Sequence, residues 1–312
     1  MTLIVAALVL PSLFWDKGAE TANLLDRARI SHIDTPASIA DSWKRVAGIT
    51  VDVVDLKQLI HLTTPSVRFD PQEASATRAA WVNSNGWRFL RDPDARFYYE
   101  APGASAPLAA AEAFTYGVWA VIHTNEAGLQ PLGGMLAFLK QLDSEYLPAL
   151  ANIGFIDDGS PQSGEFMNLL VRRNLLFKIV KQPDPKLDLT VALGSPDYPR
   201  FEAGNPSLLA EKVRSHLTDE KRLLRIYGSE EVIGRLFGDG NHARLYLINY
   251  ESARASIEGI RVRVLGDYSK QQITGYELPD ARLLDVSTGA GATEFTIPEL
   301  RTFAVITLSQ RK

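Results

Sequence analysis

The hydrophobic period of this chain changes near residue 220, and that change restricts the fold more than any other feature. Before it, short apolar runs alternate with amphipathic stretches of helical spacing. After it the period is two, and Gly, Asp and Asn mark the turns. A strand–helix rhythm calls for parallel strands joined by crossover helices, whereas a period of two with tight turns calls for antiparallel sheets. The sequence therefore predicts an α/β domain over residues 1–218 and an antiparallel β-sandwich over residues 219–312.

In the first part, strands are predicted at 9–15, 31–35, 49–55, 96–100, 118–124, 152–157, 176–181 and 187–193. Helices are predicted at 18–28, 38–46, 106–116, 129–142, 164–173 and 206–217. This pattern fits a (β/α)8-barrel-like domain, a lean one, since such barrels take about 250 residues. An open parallel sheet fits it too, as does a partial barrel to residue 148 followed by a small flavodoxin-like unit over 150–200. Residues 60–95 break the rhythm with Thr63-Thr64-Pro65 and a polar turn between Trp81 and Trp87. Long excursions inside compact domains tend to carry function.

In the second part, strands are predicted at 231–237, 243–250, 259–265, 272–278, 282–286, 293–297 and 302–308. Gly238-Asp239-Gly240-Asn241 marks a hairpin turn. Seven short strands in this space suggest a sandwich.

Composition removes several function classes. The chain has no cysteine, so it has no disulfide, thiolate ligand or Cys nucleophile. A net charge of −4 with mixed signs leaves no basic footprint for nucleic acid. The apolar run at 3–14 is too short to span a bilayer. It reads as a buried first strand over 9–15 or as a partial export signal, with no Lys or Arg before it and no small-residue cleavage pattern after it. Composition selects neither a compartment nor an oligomeric state.

Ligands of parallel α/β folds sit at the C-terminal strand ends. Here those ends read Trp15-Asp16, Asp34-Thr35, Asp55, Tyr99-Glu100, His123-Thr124-Asn125-Glu126 and Asp157-Asp158. So many carboxylates on one rim suit glycosidic-bond hydrolysis, which needs one protonated and one ionised carboxyl group. Trp15, Trp81, Trp87 and Tyr98 would supply flat faces for sugar rings. The plainer reading is that Asp and Asn at strand ends turn the chain or cap helices, and that aromatics near strands are core. Glu100 stands out, because it ends an aromatic strand, shares a face with Tyr98 and precedes Ala-Pro-Gly rather than a cap pattern.

No cofactor or metal is expected. His123, His32 and His61 have no second ligand at a useful spacing. The loop from Gly159 to Gly164 continues with Glu165-Phe166, and a carboxylate there repels phosphate. Neither a G-x-S-x-G elbow nor a G-x-G-x-x-G fingerprint occurs.

The order of parts, a parallel α/β domain with acidic strand ends and then a β-domain closing on Phe295-Thr-Ile-Pro-Glu-Leu-Arg-Thr-Phe-Ala-Val-Ile-Thr-Leu308, resembles bacterial glycoside hydrolases. The stretch 153–180 also resembles the glutamine-amidotransferase-like domain that follows the barrel in some β-galactosidases, without its nucleophilic Cys. Asn125-Glu126 is similar to the Asn-Glu pair at the fourth strand of many retaining glycosidases. The resemblance implies Glu126 as acid/base, although here the pair ends a fifth or sixth strand and precedes Ala-Gly. Two expectations follow. The first is a glycoside hydrolase with Glu100 as one carboxylate and Asp157 or Asp158 as the other, and with Trp15, Trp81, Trp87, Tyr98, His123, Asn125 and Glu126 binding a carbohydrate or another small polar ligand. The second is a non-catalytic glycan-binding or scaffold protein with a degenerate barrel.

Overall fold

The computed structural model describes residues 9–69, 80–143, 145–252 and 256–310. Along its first part run β1 (Ser12–Phe14), α1 (Ala22–Arg27), β2 (His32–Thr35), α2 (Ala37–Trp43), β3 (Thr50–Val53) and β4 (Ile60–Leu62). Then come β5 (Ser66–Phe69), β6 (Ala80–Asn83), α3 (Gly86–Arg91), β7 (Arg96–Glu100), α4 (Ser105–Tyr116), β8 (Trp119–His123) and α5 (Glu126–Lys140). The chain folds as two compact units, residues 1–66 with 92–146, and residues 67–91 with 147–312.

In the first unit, six strands form a parallel sheet in the order β3-β2-β1-β8-β7-β4. Read as a ring, this is sequence order cut between β3 and β4, so the first and last strands of the sheet, β1 and β8, pair as they would in a barrel. The connections from β1 to β2, β2 to β3 and β7 to β8, which carry α1, α2 and α4, step across the sheet in the same direction. Because such crossovers are right-handed, these helices land on one face. On that face Leu13, Ile33, Tyr99 and Ile122 are fully buried.

The predicted (β/α)8 barrel is not closed. Among the described residues β3 and β4 are the two edges of the sheet. Residues 54–59 join them, too few for a crossover helix, which takes a dozen or more. Instead Val54, Leu56 and Leu59 turn onto the helix-free face and pack with Phe14, Tyr98 and Val121. A fully buried side chain of this size contributes roughly 1.5–3 kcal/mol, enough to hold so short a connector across the sheet.

Two helices fix the strand ends that matter. The alanines of α4 (Ala106, Ala109, Ala110, Ala111, Ala113) are fully buried, and Gly117 ends the helix in the left-handed conformation at φ 67°. Within this packing the Tyr99 hydroxyl donates to buried Glu112 at 2.5 Å. Helix α5 starts at Asn125, whose side chain accepts from the backbone N–H of Gly128 at 3.2 Å.

The second unit continues with β9 (Ile153–Ile156), α6 (Pro161–Arg172), β10 (Phe177–Ile179), β11 (Leu189–Ala192) and α7 (Pro206–Lys221). These three strands form their own parallel sheet, β10-β9-β11. The last three predicted barrel strands therefore stand apart, as in the alternative with a separate unit over 150–200. Helix α3 packs here too, with the Trp87 ring against Gly164 of α6.

Beyond α7 lie β12 (Leu224–Tyr227), β13 (Val232–Gly238), β14 (His242–Asn249), β15 (Ile257–Leu265), β16 (Lys270–Gly275), β17 (Leu284–Gly289), β18 (Ala292–Leu300) and β19 (Phe303–Ser309). They pair antiparallel in two four-stranded sheets, β12-β15-β18-β17 and β13-β14-β19-β16. One apolar cluster, including Leu245, Val262, Phe295 and Ile306, draws on both sheets. Buried asparagines tie this part to the preceding α/β part. The Asn174 side chain donates to the Val232 carbonyl at 3.0 Å and accepts from the Gly234 N–H at 2.7 Å, while Asn152 accepts from the Leu223 N–H at 2.9 Å. No helix of the described residues is long and apolar enough to cross a membrane.

Candidate functional site

The parallel register of the first sheet assembles its C-terminal rim. Glu100 ends β7 directly beside His123 at the end of β8, and Phe14 of β1 flanks His123 on the other side. Asp16 follows two residues after Phe14, where the chain leaves the sheet. His123 thus stands between two carboxylates, with Nδ1 at 2.9 Å from Glu100 Oε2 and Nε2 at 3.5 Å from Asp16 Oδ1. The Tyr98 hydroxyl donates to Glu100 Oε2 at 2.6 Å, and the His61 ring lies 4.7 Å from the Tyr98 ring. The result is one polar line, Asp16–His123–Glu100–Tyr98.

Its electrostatics favour an ionised Glu100. Burial pushes the carboxyl up, but the hydrogen bonds from Tyr98 and His123 and the His123 charge outweigh burial and hold it below the usual carboxylate range. Tyr98 responds in the opposite sense: burial first, then the bond and charge of Glu100, push its hydroxyl well above the usual tyrosine range. The Glu100 side chain is 61% exposed, whereas that of His123 is only 23% exposed. The carboxylate therefore faces solvent, backed by the imidazole.

A second acidic group stands on β2, at the register of Phe14. Asp34 of β2 is 3% exposed and accepts a hydrogen bond from Ser12 of β1. Burial raises its carboxyl above the ordinary value, against the Ser12 bond and the charges of His32 and Arg96.

The other predicted residues of this unit have structural partners. Trp15 is wholly buried and its indole N–H donates to Thr21 at 2.9 Å, so neither ring face is open to a sugar. Asn125 caps α5 and also accepts from the Gly103 N–H at 3.0 Å. Glu126 sits in the first turn of that helix, paired at 3.0 Å with Lys17. Sequence reasoning placed Asp16 at a strand end without assigning it a role, and it set His61 aside as isolated. The register signal that joins them to Glu100 is the pairing of β1, β8, β7 and β4, which no single strand reveals.

Asp157 and Asp158 belong to the second unit, at the C-terminal end of β9. Arg91 grips Asp157 with both arms, Nε to Oδ2 at 2.7 Å and Nη2 to Oδ1 at 2.8 Å. The same guanidinium lies 5.1 Å from the Trp87 ring. Asp158 accepts from Ser163 Oγ at 2.6 Å, from the Ser160 N–H at 3.0 Å and from Arg200. Burial opposes these bonds but does not match them, so the Asp158 carboxyl lies well below the usual range. Trp81 is 41% exposed, with the Arg172 guanidinium 3.7 Å from its ring. Among the described residues no group of three or more His, Cys, Asp or Glu side chains is arranged to hold a metal ion.

In its parallel α/β part followed by antiparallel sheets the chain resembles glycoside hydrolases, and solved structures of that class match it. One is α-L-fucosidase isoenzyme 2 from Paenibacillus thiaminolyticus, at 8% identity and TM-score 0.55, covering 88% of this chain and 70% of that one. A rhamnosidase from Novosphingobium sp. PP1Y matches at 11% identity and TM-score 0.45, over 93% of this chain and 38% of that one. A β-galactosidase from Rahnella sp. R3 matches at 9% identity and TM-score 0.42, over 88% and 63%. The chain thus spans less than two thirds of the last two. At such identities the likeness is one of fold alone. No protein-family model matches the chain, and no curated protein matches it significantly.

Proposed function

We propose that this chain is a carbohydrate-active protein whose glycan site is the Asp16–His123–Glu100–Tyr98 rim, and that it binds glycan without hydrolysing it. One observation carries this reading: the space between the two rim carboxylates holds the His123 imidazole. A hydrolytic pair needs that space, roughly 5–9.5 Å across, for the glycosidic oxygen, the sugar ring and water. An ionised, exposed Glu100 suits the recognition of sugar hydroxyls, which donate to carboxylates, while the buried Tyr98 holds that carboxylate from below rather than covering a sugar ring. In the second unit Asp157 and Asp158 are each bound by a guanidinium, and the lowered Asp158 carboxyl is a poor proton donor. The region 219–312, read as a β-sandwich domain behind an α/β domain of residues 1–218, then serves as a buttress.

Hydrolysis is the second reading. Glu100 favours it, since an ionised carboxylate at a strand end is the state a glycosidase nucleophile or base requires. One experiment separates the two. A panel of oligosaccharides and of activated aryl glycosides is offered to the wild type and to Glu100→Gln. Glycan binding that Glu100→Gln abolishes, with no aglycone released by either protein, supports the binding reading. Aglycone release by the wild type alone replaces it with the hydrolase. The absence of both binding and release overturns both readings.

A further inference from the structure

Arginines crowd the outer face of the β12-β15-β18-β17 sheet where α7 ends. Arg225 of β12 and Arg263 of β15 are direct cross-strand partners, a like-charge pairing that is unfavourable by itself. Arg214 and Arg222 approach from either side of the α7 terminus. Asp219 alone faces three of these guanidinium groups, Arg225 at 3.0 Å, Arg222 at 3.4 Å and Arg214 at 3.7 Å. Only the first has the length of a sound charge-assisted bond. Farther along the same face, Glu294 meets Arg261 at 3.0 Å and Arg263 at 3.9 Å. Five guanidinium groups thus share two carboxylates.

Two further observations mark the cluster as undercompensated. The Arg222 side chain is 10% exposed and its Nε has no hydrogen-bond partner, and Arg263 Nη1 is likewise buried without one. The chain also strains to put Asp219 in place. Thr218 has φ 60° and ψ 159°, a conformation that is essentially reserved for glycine and is a clear outlier for a β-branched residue. Such strain persists where the surroundings impose it, here by drawing the next residue among the arginines.

We propose that this face binds a tetrahedral oxyanion, a sulfate or phosphate group, between Arg214 and Arg225 and beside Arg263. The planar forks of arginine match such oxygens, and the Arg214 and Arg225 side chains, 46% and 20% exposed, leave them reachable. The bound anion supplies the negative charge that Asp219 cannot share among three partners. The site is independent of the glycan reading of the rim.

The test is calorimetric titration of the full chain with inorganic sulfate, inorganic phosphate and a sulfated oligosaccharide, at fixed ionic strength balanced with chloride. The wild type should show saturable binding at one site. Arg225→Gln should weaken it at least tenfold, and Arg214→Gln, on the exposed side of α7, should do so without touching the sheet. Asp219→Asn should tighten it several-fold by removing a competing carboxylate. Arg301→Gln, elsewhere on the same unit, controls for net charge and should bind as the wild type does. Preference for the sulfated sugar over both free ions names a glycan as the source, and the reverse order names a free ion; both support the site. No saturable binding, or equal binding by both arginine variants and the wild type, overturns it. So does binding lost with Glu100→Gln but kept in Arg225→Gln, which would place the anion at the rim.

Discussion

Glu100 and His123 end neighbouring parallel strands in register, which sets the imidazole Nδ1 2.9 Å from Glu100 Oε2. Strand pairing alone makes this contact, since the two residues are 23 positions apart in the chain. Helix α4 connects the two strands and packs on the opposite face, where Glu112 accepts from the Tyr99 hydroxyl. The same imidazole stands between Glu100 and Asp16.

The ionisation of Glu100 should report its two donors. Its folded value lies below the ordinary 4.5. Ionised Glu100 therefore stabilises the fold above that pH, and the contribution is lost as pH falls through the folded value. Tyr98→Phe removes one donor, so the carboxyl titration followed by NMR should shift upward towards 4.5. An unshifted titration would leave the Tyr98 bond without influence and refute this account of the rim.

Asp34 carries the opposite sign. Its folded value lies above the ordinary 3.8, chiefly through burial. The native state therefore holds its proton more tightly, and stability declines as pH rises from 3.8 through the folded value. Asp34→Asn keeps an acceptor for Ser12 and removes the charge. Urea denaturation should find the variant more stable than the wild type at pH 7 and no different near pH 3. Lower stability at pH 7 than the wild type would show that His32 and Arg96 outweigh burial.

The bidentate contact with Arg91 predicts a structural role for Asp157. Asp157→Ala leaves the Arg91 guanidinium without its carboxylate in a setting where the aspartate side chain is 10% exposed. Loss of a hydrogen-bonded charge partner of this kind costs about 1.5–3 kcal/mol. Chemical denaturation should show that loss, with glycan binding at the rim unchanged. A variant of wild-type stability would release Asp157 for a role in binding or chemistry.

Gly133 should resist the usual helix rule. In a helix interior, Gly→Ala normally stabilises by about 1 kcal/mol. Here a Cβ on Gly133 would come within 1.9 Å of the Ala28 carbonyl oxygen, a backbone atom at the end of α1. Gly133→Ala should therefore destabilise by about 1–3 kcal/mol, the range for overpacking, as read from the thermal midpoint. A raised midpoint would mean that α5 moves away from α1 freely.

Much of the fold was legible because its elements are local. Ser12–Phe14, His32–Thr35, Thr50–Val53 and Arg96–Glu100 lie where apolar runs predict strands, and α4 follows its alanine-rich stretch. The antiparallel part follows its period of two, with β14 buried on both faces and interior to its sheet. Missed elements are short or set by partners: Ile60–Leu62 is a strand only because β7 pairs with it. Of the excursion between β5 and β6, residues 70–79 lie outside the described residues.

Site chemistry divides the same way. The sequence placed Glu100, His123 and Tyr98 at strand ends, because a period of two and a terminating Ala-Pro-Gly are local facts. It could not show that residues 54–59 would turn onto the sheet rather than span a crossover, since that depends on the apolar face waiting for Val54 and Leu59. Nor could it show that Arg91 would take up Asp157 from a segment 66 positions away. By itself the sequence determined which segments are strands, which are helices and which of their ends are acidic, because those follow from neighbours along the chain. The tertiary structure alone decided which acids stay free, since a carboxylate's state is set by the charges and donors that folding brings to it.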